Sequence, residues 1–457
     1  MRGFALLVLA VSGTLGTTLT LDLYQGQSAQ RGKGVVVFAS MWATGEPLQR
    51  AYEQLFRRFE RRYPGYRVEA RWDGRWVLPA VRPRLLTGSD VPDIINTDRE
   101  SLQVLVDEGY LVRLDALLDR TPHPDDTAKP WREAFDPRLL ARCHFTRTAR
   151  SPAGIYLAPA GVWLHLVFYN QLHYRRLGLA VPETWAELME NARRLRDAGI
   201  TPFVADGSGY AGLWPETLLP LAVGEQTLAR TITSASGLRF DRDPRYRAVF
   251  AAIRQLHRPG FFPAGWTGSR WPAAQRAWIH GEGTHIINGS WLLRETRAYD
   301  PDPRVVELGA FPLPRPPGPT AHHSAVFAEV PGYGLLRQAR QRRGAVALLR
   351  FLSERQSASL LARVGQEIPA VRGARFPAEL VDLRRQLQQV EVIFSGGVPS
   401  YAPGWNRFVF QELFTPFFVH NTPEHPEYLP VDAFLRQLQR RTDRYNETRR
   451  DNRSVGR

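Results

Sequence analysis

Residues 35–72 read VVVFASMWATGEPLQRAYEQLFRRFERRYPGYRVEARW, and this stretch decides the fold. Val35 to Ala39 is a short, unbroken apolar run, the pattern of a strand buried on both faces. A loop with Trp42, Gly45 and Pro47 follows. Leu48, Tyr52, Leu55 and Phe59 then recur at helical spacing, with Arg and Glu opposite, which predicts an amphipathic helix. Pro64-Gly65 stops it, and Arg67 to Trp72 alternates as a second strand. Strand, helix, strand is a βαβ unit with a right-handed crossover.

The same logic repeats outward. A helix closes at Thr87-Gly88, Pro92-Asp93-Ile94-Ile95 enters a strand, and a helix carrying Leu102, Leu105 and Val106 ends at Gly109. Gly154 to Pro159 reads as a crossover into a strand over Leu164–Tyr169. Thr184 with Glu187 forms a capping box for a helix that Gly199 ends. His285-Ile286-Ile287 is a further strand, and Ala345, Leu348, Leu349 and Leu352 form a helical stripe. Val431, Leu435, Leu438, Thr442 and Tyr445 form the last, with a frayed tail after it. Alternating strands and helices predict an α/β protein, and 457 residues suit two domains.

The net charge of +15 admits nucleic acid, membrane surface or polyanion as partners. The basic residues are almost all arginine, with Lys33 and Lys129 the only lysines, and they are scattered along the chain. That argues for residue usage over a nucleic-acid patch. The single cysteine, Cys143, excludes an intramolecular disulfide and a cysteine-based zinc site. Arg2 followed by the apolar run Phe4–Val11 predicts a signal peptide within residues 1–24, with cleavage and retention as an anchor both open. No cysteine follows that run, so lipid modification is not expected. Residues 25–34 read as a polar linker.

No G-x-S-x-G, H-E-x-x-H, Walker A or dinucleotide glycine motif is present. Carboxylates such as Asp73 and Asp98 leave a glycosidase-like pair as an alternative, but catalysis and cofactors are not expected. His322-His323 and the His420/His425 pair are local histidine groupings, too few for a metal site that needs three or four converging ligands. Tryptophan is more informative: there are 12, and Trp42, Trp76, Trp163, Trp214, Trp266, Trp291 and Trp405 sit in loop-like contexts beside Gly, Pro or Asn. Flat aromatic faces can stack on the C–H face of a pyranose ring while nearby polar groups bond its hydroxyls. The set points to a sugar platform.

Several ordered strings resemble the extracellular solute-binding family of ABC importers, the carbohydrate- and maltodextrin-type binders. They are Tyr63-Pro64-Gly65; Gly88 to Ile95 with Glu108 to Leu114; Phe168-Tyr169-Asn170 with Leu177-Gly178-Leu179, Pro182 and Thr184-Trp185; Gly199 to Pro202; Trp278, Gly281 and Asn288-Gly289-Ser290-Trp291; and Pro331 to Gly334 with Gly365 and Ile368-Pro369. The resemblance covers about Val35 to Tyr445. It implies a two-lobed, type II-like periplasmic-binding-protein fold, each lobe an open sheet flanked by helices, with the ligand cleft between them. Residues 35–154 with 332–373 would form the N-terminal lobe, 155–331 with 374–447 the C-terminal lobe, and 448–457 a frayed tail. The implied ligand-binding residues are Trp42, Thr97 and Asp98 on the first lobe; Trp163, Trp214, Trp291 and Trp405 on the second; and Tyr333 near the return crossing. The implied partners are a small carbohydrate and the membrane permease of an ABC importer, with the protein a monomer in the periplasm or elsewhere outside the cytoplasm. Asn96-Thr97 departs from maltodextrin binders, which carry aromatics there. The arginine content, with Arg75, Arg99 and Arg270 in loops, keeps an anionic ligand such as a glycerol phosphate or acidic sugar as the alternative.

Overall fold

A computed structural model describes residues 34–454 except 208–209, 235–236, 298, 300–301, 322–324, 378–379, 382, 384, 386–391, 395–401, 403–404 and 421. The expected signal segment, its linker and His322-His323 therefore lie outside the described residues.

The opening stretch folds as its pattern requires. β1 (Gly34–Ser40) and β2 (Tyr66–Trp72) pair in parallel from Gly34↔Tyr66 to Ser40↔Trp72. Between them α1 (Pro47–Arg62) begins with proline at its first position and buries Leu48, Tyr52, Leu55 and Phe59. α2 (Val77–Thr87) ends on Gly88, whose φ of 68° suits a residue without Cβ. β3 (Ile94–Thr97) joins the other edge of β1 in parallel, and α3 (Arg99–Asp107) packs Leu102, Leu105 and Val106 into the core.

The chain then changes sheets. β4 (Ala158–Pro159) still belongs to the first sheet, whereas β5 (Gly161–Asn170) is the central strand of the second. Nine of its ten residues are buried, as a strand covered on both faces requires. α4 (Trp185–Asp197) opens with both halves of the Thr184–Glu187 capping box. α5 (Leu213–Val223) and α6 (Pro244–Gln255) build the helical side of this half. α7 (Ala273–Ile279) precedes β6 (His285–Gly289), and α8 (Leu292–Arg297) follows it. β6, β7 (Leu308–Phe311) and β8 (Ala325–Glu329) all run antiparallel to β5.

A second change follows at once. β8 ends at Glu329, and β9 (Gly332–Leu335) completes the first sheet, in the order β2-β1-β3-β9-β4. α9 (Arg342–Leu352) and α10 (Arg355–Gly365) pack back on this half, with α10 against α1. Then β10 (Ile368–Pro369) pairs with β5, and β11 (Val392–Phe394) lies parallel to β8. α11 (Glu412–Val419) and α12 (Val431–Ser454) close the chain. Leu435, Leu438 and Thr442 of α12 are buried as their spacing predicts, and the helix runs on through the segment expected to fray, as far as Ser454.

The three passages between sheets are stitched together. Ala160 donates its N–H to Pro331 O at 2.9 Å and accepts from Ala370 N at 3.4 Å. One apolar cluster fills the first half and reaches Val162, Leu164, Leu166 and Phe168 of β5, while a second, rich in phenylalanine, lies among α4, α5, α6, α11 and α12.

Asp93 shows why the Pro-Asp-Ile-Ile string matters. It is 2% exposed, and its carboxylate accepts Val37 N and Gln341 N, each at 2.8 Å. It thus pins β1, the entry to β3 and the approach to α9 to one point. Asp93→Ala strands two partly buried N–H groups and is expected to destabilise the fold by about 1–3 kcal/mol, read as a lowered urea midpoint with the slope unchanged.

Candidate functional site

The site forms beyond the C-terminal ends of β1 and β3, the usual place for ligands in open α/β sheets. Ser40 Oγ donates to Asn96 Oδ1 at 3.0 Å, Asn96 Nδ2 donates to Gly332 O at 3.0 Å, and Met41 N donates to Asn96 O at 2.9 Å. Asn96 is therefore a buried brace between β1, β3 and β9 rather than a surface for ligand. Trp42 N bonds Ser40 Oγ at 3.2 Å, which fixes the turn that carries the indole. Asp73 N to Ser40 O and Gly74 N to Trp42 O zip the next loop alongside, with Gly74 at φ 63°. That loop brings the Arg75 guanidinium 4.9 Å from the Trp42 ring centre.

The second sheet supplies the facing wall. Trp163 of β5 meets Trp42 edge to face at 6.1 Å and 81°, and Trp291 meets Trp163 at 5.8 Å and 86°. Trp291 is placed by the Asn-Gly-Ser-Trp turn. Ser290 N bonds Leu164 O at 2.8 Å, and Ser290 Oγ accepts Leu164 N at 3.2 Å. A Cβ on Gly289 would sit 2.2 Å from the Trp291 ring, so only glycine admits this indole position.

Charged groups knit the tryptophans together. Glu367, on the passage into β10, accepts Trp163 Nε1 at 3.2 Å and lies 3.5 Å from Arg294 Nη1. Arg294, from α8, also lies 5.0 Å over Trp42. Trp42 thus meets two guanidinium groups, one from each half of the molecule. Burial pushes the Glu367 carboxyl up, and Arg294 and Arg75 pull it back. Glu295 behaves alike: burial raises it, Arg294 opposes, and Gln275 Nε2 donates to it at 2.5 Å.

A second polar group lies alongside. His165 is fully buried against Phe327 and Trp291, with Nε2 3.2 Å from a Glu329 carboxylate oxygen. Glu100, in the first turn of α3, is pushed up to about 8 by burial, then by Asp98 and by Glu329 from the other sheet.

The eight residues expected at the site divide sharply. Trp42, Trp163 and Trp291 converge. Tyr333 lies behind them, buried, its hydroxyl 2.8 Å from that of Tyr52. Thr97 is buried with Oγ1 3.3 Å from Asp98 Oδ2, and Asp98 caps α3 through Ser101 N at 2.8 Å, so both serve the helix start. The structure does not bring Trp214 or Trp405 to this group. Trp214 packs against Trp185 and Phe203, and Trp405 stacks on Phe240 and Phe410 while donating Nε1 to Thr442. Both indoles lie in the phenylalanine-rich cluster of the second half, Trp214 meeting its neighbours edge to face and Trp405 stacked between two rings, whereas Trp42 and Trp163, also buried, meet each other between the two halves. Arg99 is half-buried over Phe145 and bonds the carbonyls of Arg142 and His144, and Arg270 is exposed. Glu367, Arg294, His165, Glu329, Glu100 and Glu295 are the residues that sequence reasoning missed. A glutamate in the apolar context Gly365-Gln-Glu-Ile-Pro369 was the one available signal.

Comparison with known proteins accords with this architecture. The model of the bacterial extracellular solute-binding protein family matches residues 42–358. The chain belongs to that family. A multiple sugar-binding protein of Streptococcus mutans is 22% identical over 311 residues, covering 65% of this chain and 67% of the relative. Among solved structures, the bacterial receptor AcbH, described as preferring β-D-galactopyranose, superposes with a TM-score of 0.71 at 16% identity, covering 90% of this chain and 99% of its own. The apo form of RafE from Streptococcus pneumoniae gives 0.70 at 16%, covering 93% and 100%. The two sheets with flanking helices are thus the fold of two-lobed binding receptors. The family is one of exported proteins, and no helix among the described residues is long and apolar enough to cross a membrane.

Two measurements probe this geometry. Gly289→Ala is expected to displace the Trp291 indole and destabilise the fold by about 1–3 kcal/mol, seen as changed tryptophan emission and a lowered denaturation midpoint. Glu100 has a folded value raised to about 8 from an ordinary 4.5, so the fold favours its neutral form. Its contribution is full below pH ~4.5 and is lost as pH rises through about 8. The melting temperature of wild type should therefore fall across that window, and Glu100→Gln should flatten the fall.

Proposed function

We propose that this protein is the extracytoplasmic substrate-binding component of an ABC importer, capturing a neutral sugar or oligosaccharide between its lobes and releasing it to the membrane permease without turnover. The lobes we assign are residues 34–159 with 332–365, and 161–329 with 368–447, flexing at the three stitched passages beside Ala160. The observation that carries the reading is the Trp42–Trp163–Trp291 group, built from both halves of the chain and edged by Arg75, Arg294 and Glu367. Aromatic walls with a few fixed polar groups are the ordinary composition of a small-molecule cleft. The sugar-binding relatives support the carbohydrate class.

Charge favours a neutral cargo over the anionic alternative. Arg75 and Arg294 lie over Trp42 and already balance Glu367 and Glu295. Among the described residues, the arginines at this group are thus already matched by carboxylates that an anion would have to displace. Ligand-driven closure requires that sugar bind the closed arrangement more tightly than the open one. We assign the protein to the periplasm or its equivalent and expect it to act as a monomer.

The test is intrinsic fluorescence and thermal shift against neutral mono- and oligosaccharides, glycerol phosphates and heparin. One neutral sugar should saturate and raise the melting temperature. Trp291→Ala should weaken that binding by about 2–4 kcal/mol with the fold intact, as buried aromatic anchors do. Trp214→Ala should instead cost about 3–5 kcal/mol of stability and leave the affinity of the folded fraction unchanged. Binding confined to the anionic ligands, fading with salt, would overturn the neutral-sugar assignment.

A further inference from the structure

The histidine pair of the α11–α12 connection counts only two ligands in the sequence, but the fold adds a third. His420, His425 and Glu427 bring one donor atom each to within 4.8 Å of one another. His420 Nε2 is 2.7 Å from a Glu427 carboxylate oxygen, and the two imidazoles lie stacked with centroids 3.9 Å apart at 12°. From these contacts we propose that His420, His425 and Glu427 form a surface site for a divalent transition metal of the zinc class, separate from the tryptophan cleft and independent of what that cleft binds.

The donor set suits such an ion. Two imidazoles and one carboxylate are borderline ligands that favour zinc, nickel or copper over calcium or magnesium, and three protein ligands leave a position for water. Bonds of about 2.0–2.2 Å to a shared ion place donors no more than roughly 4.4 Å apart. The stacked imidazoles must turn out of their parallel arrangement for both lone pairs to meet one ion, a side-chain rotation that the half-buried His425 and exposed Glu427 on this loop leave room for. His425 Nδ1 accepts the Glu427 N–H at 3.1 Å, and ligation through that nitrogen gives up only this one long hydrogen bond.

Backbone bonds brace the described residues of the loop without an ion. His420 N bonds Pro416 O at 2.8 Å, His425 N bonds Thr422 O at 3.0 Å, and Tyr428 N bonds His425 O at 2.9 Å. Pro423 and Pro426 restrict the backbone between the ligands. Arg254 of α6 anchors the far side: its guanidinium lies 3.8 Å over Phe417 and 4.8 Å over Tyr428, and it donates to Leu429 O at 2.7 Å. That cation is thereby committed to the rings and the carbonyl. Glu424, in the same loop, is exposed and adds a further negative charge. A bound ion would clip the end of α11 to the start of α12 over the phenylalanine core.

The experiment is calorimetric titration of tag-free, chelator-treated protein with zinc chloride, without sugar. One equivalent should bind, affinity should fall at low pH as protons compete for the imidazoles, and zinc X-ray absorption of the loaded wild type should show two imidazole ligands. The double substitution His420→Ala/His425→Ala should abolish binding, and Glu427→Gln should weaken it by about tenfold or more, with sugar affinity of both variants unchanged. Absence of stoichiometric binding, binding that survives the double substitution, or an absorption spectrum without imidazole would overturn the proposal. Failure of sugar binding would leave it untouched.

Discussion

Everything in this molecule turns on the backbone around Ala160. The chain passes between its two sheets three times, and the passages touch there: Ala160 bonds Pro331 on one side and Ala370 on the other. This constraint has consequences on both sides. It sets β4 and β5 end to end in different sheets, and it places β9 in the first sheet directly after β8 in the second. It also delivers Glu367, Tyr333 and Trp163, residues near the three passages, to one small volume. The candidate site is the junction of the fold, because the same short segments that connect the halves carry its polar groups.

The energetics of that junction are a balance between burial and compensation. A carboxylate as enclosed as Glu367 is costly unless it is bonded and paired. Trp163 Nε1 supplies the bond and Arg294 the charge. Arg294 also lies over Trp42, so the pairing in the second half is coupled to an aromatic ring in the first. Glu100 lies near Glu329 of the opposite sheet, and that carboxylate, after burial and Asp98, helps hold Glu100 in its neutral form.

Local pattern told the fold well. The stripe of α1, the capping box at Thr184, the glycine stop at Gly88 and the buried run of β1 follow from spacing and backbone preference, which the chain carries residue by residue. The site was half legible. Trp42, Trp163 and Trp291 stand out by type and by loop context, and Gly289 beside Trp291 is explained by the indole it must admit. Trp214 and Trp405 carry the same local signature but turn into the phenylalanine core, because loop context does not say which way a ring points. Asn96 and Thr97 likewise sit in the expected motif yet brace the sheet and adjoin the helix cap. Glu367, Arg294 and Glu329 come from distant parts of the chain, and only the topology brings them together.

The central claim is that cargo binds at the junction between the sheets, against the three converging tryptophans. The most direct measurement is a crystal structure of the protein soaked or grown with whichever sugar saturates its fluorescence response. The account predicts a pyranose ring in van der Waals contact with Trp42, Trp163 or Trp291 and hydrogen-bonded to at least one of Arg75, Arg294 and Glu367. A sugar bound instead beside Trp214 or Trp405, or on one lobe alone with the junction unaltered, would contradict it.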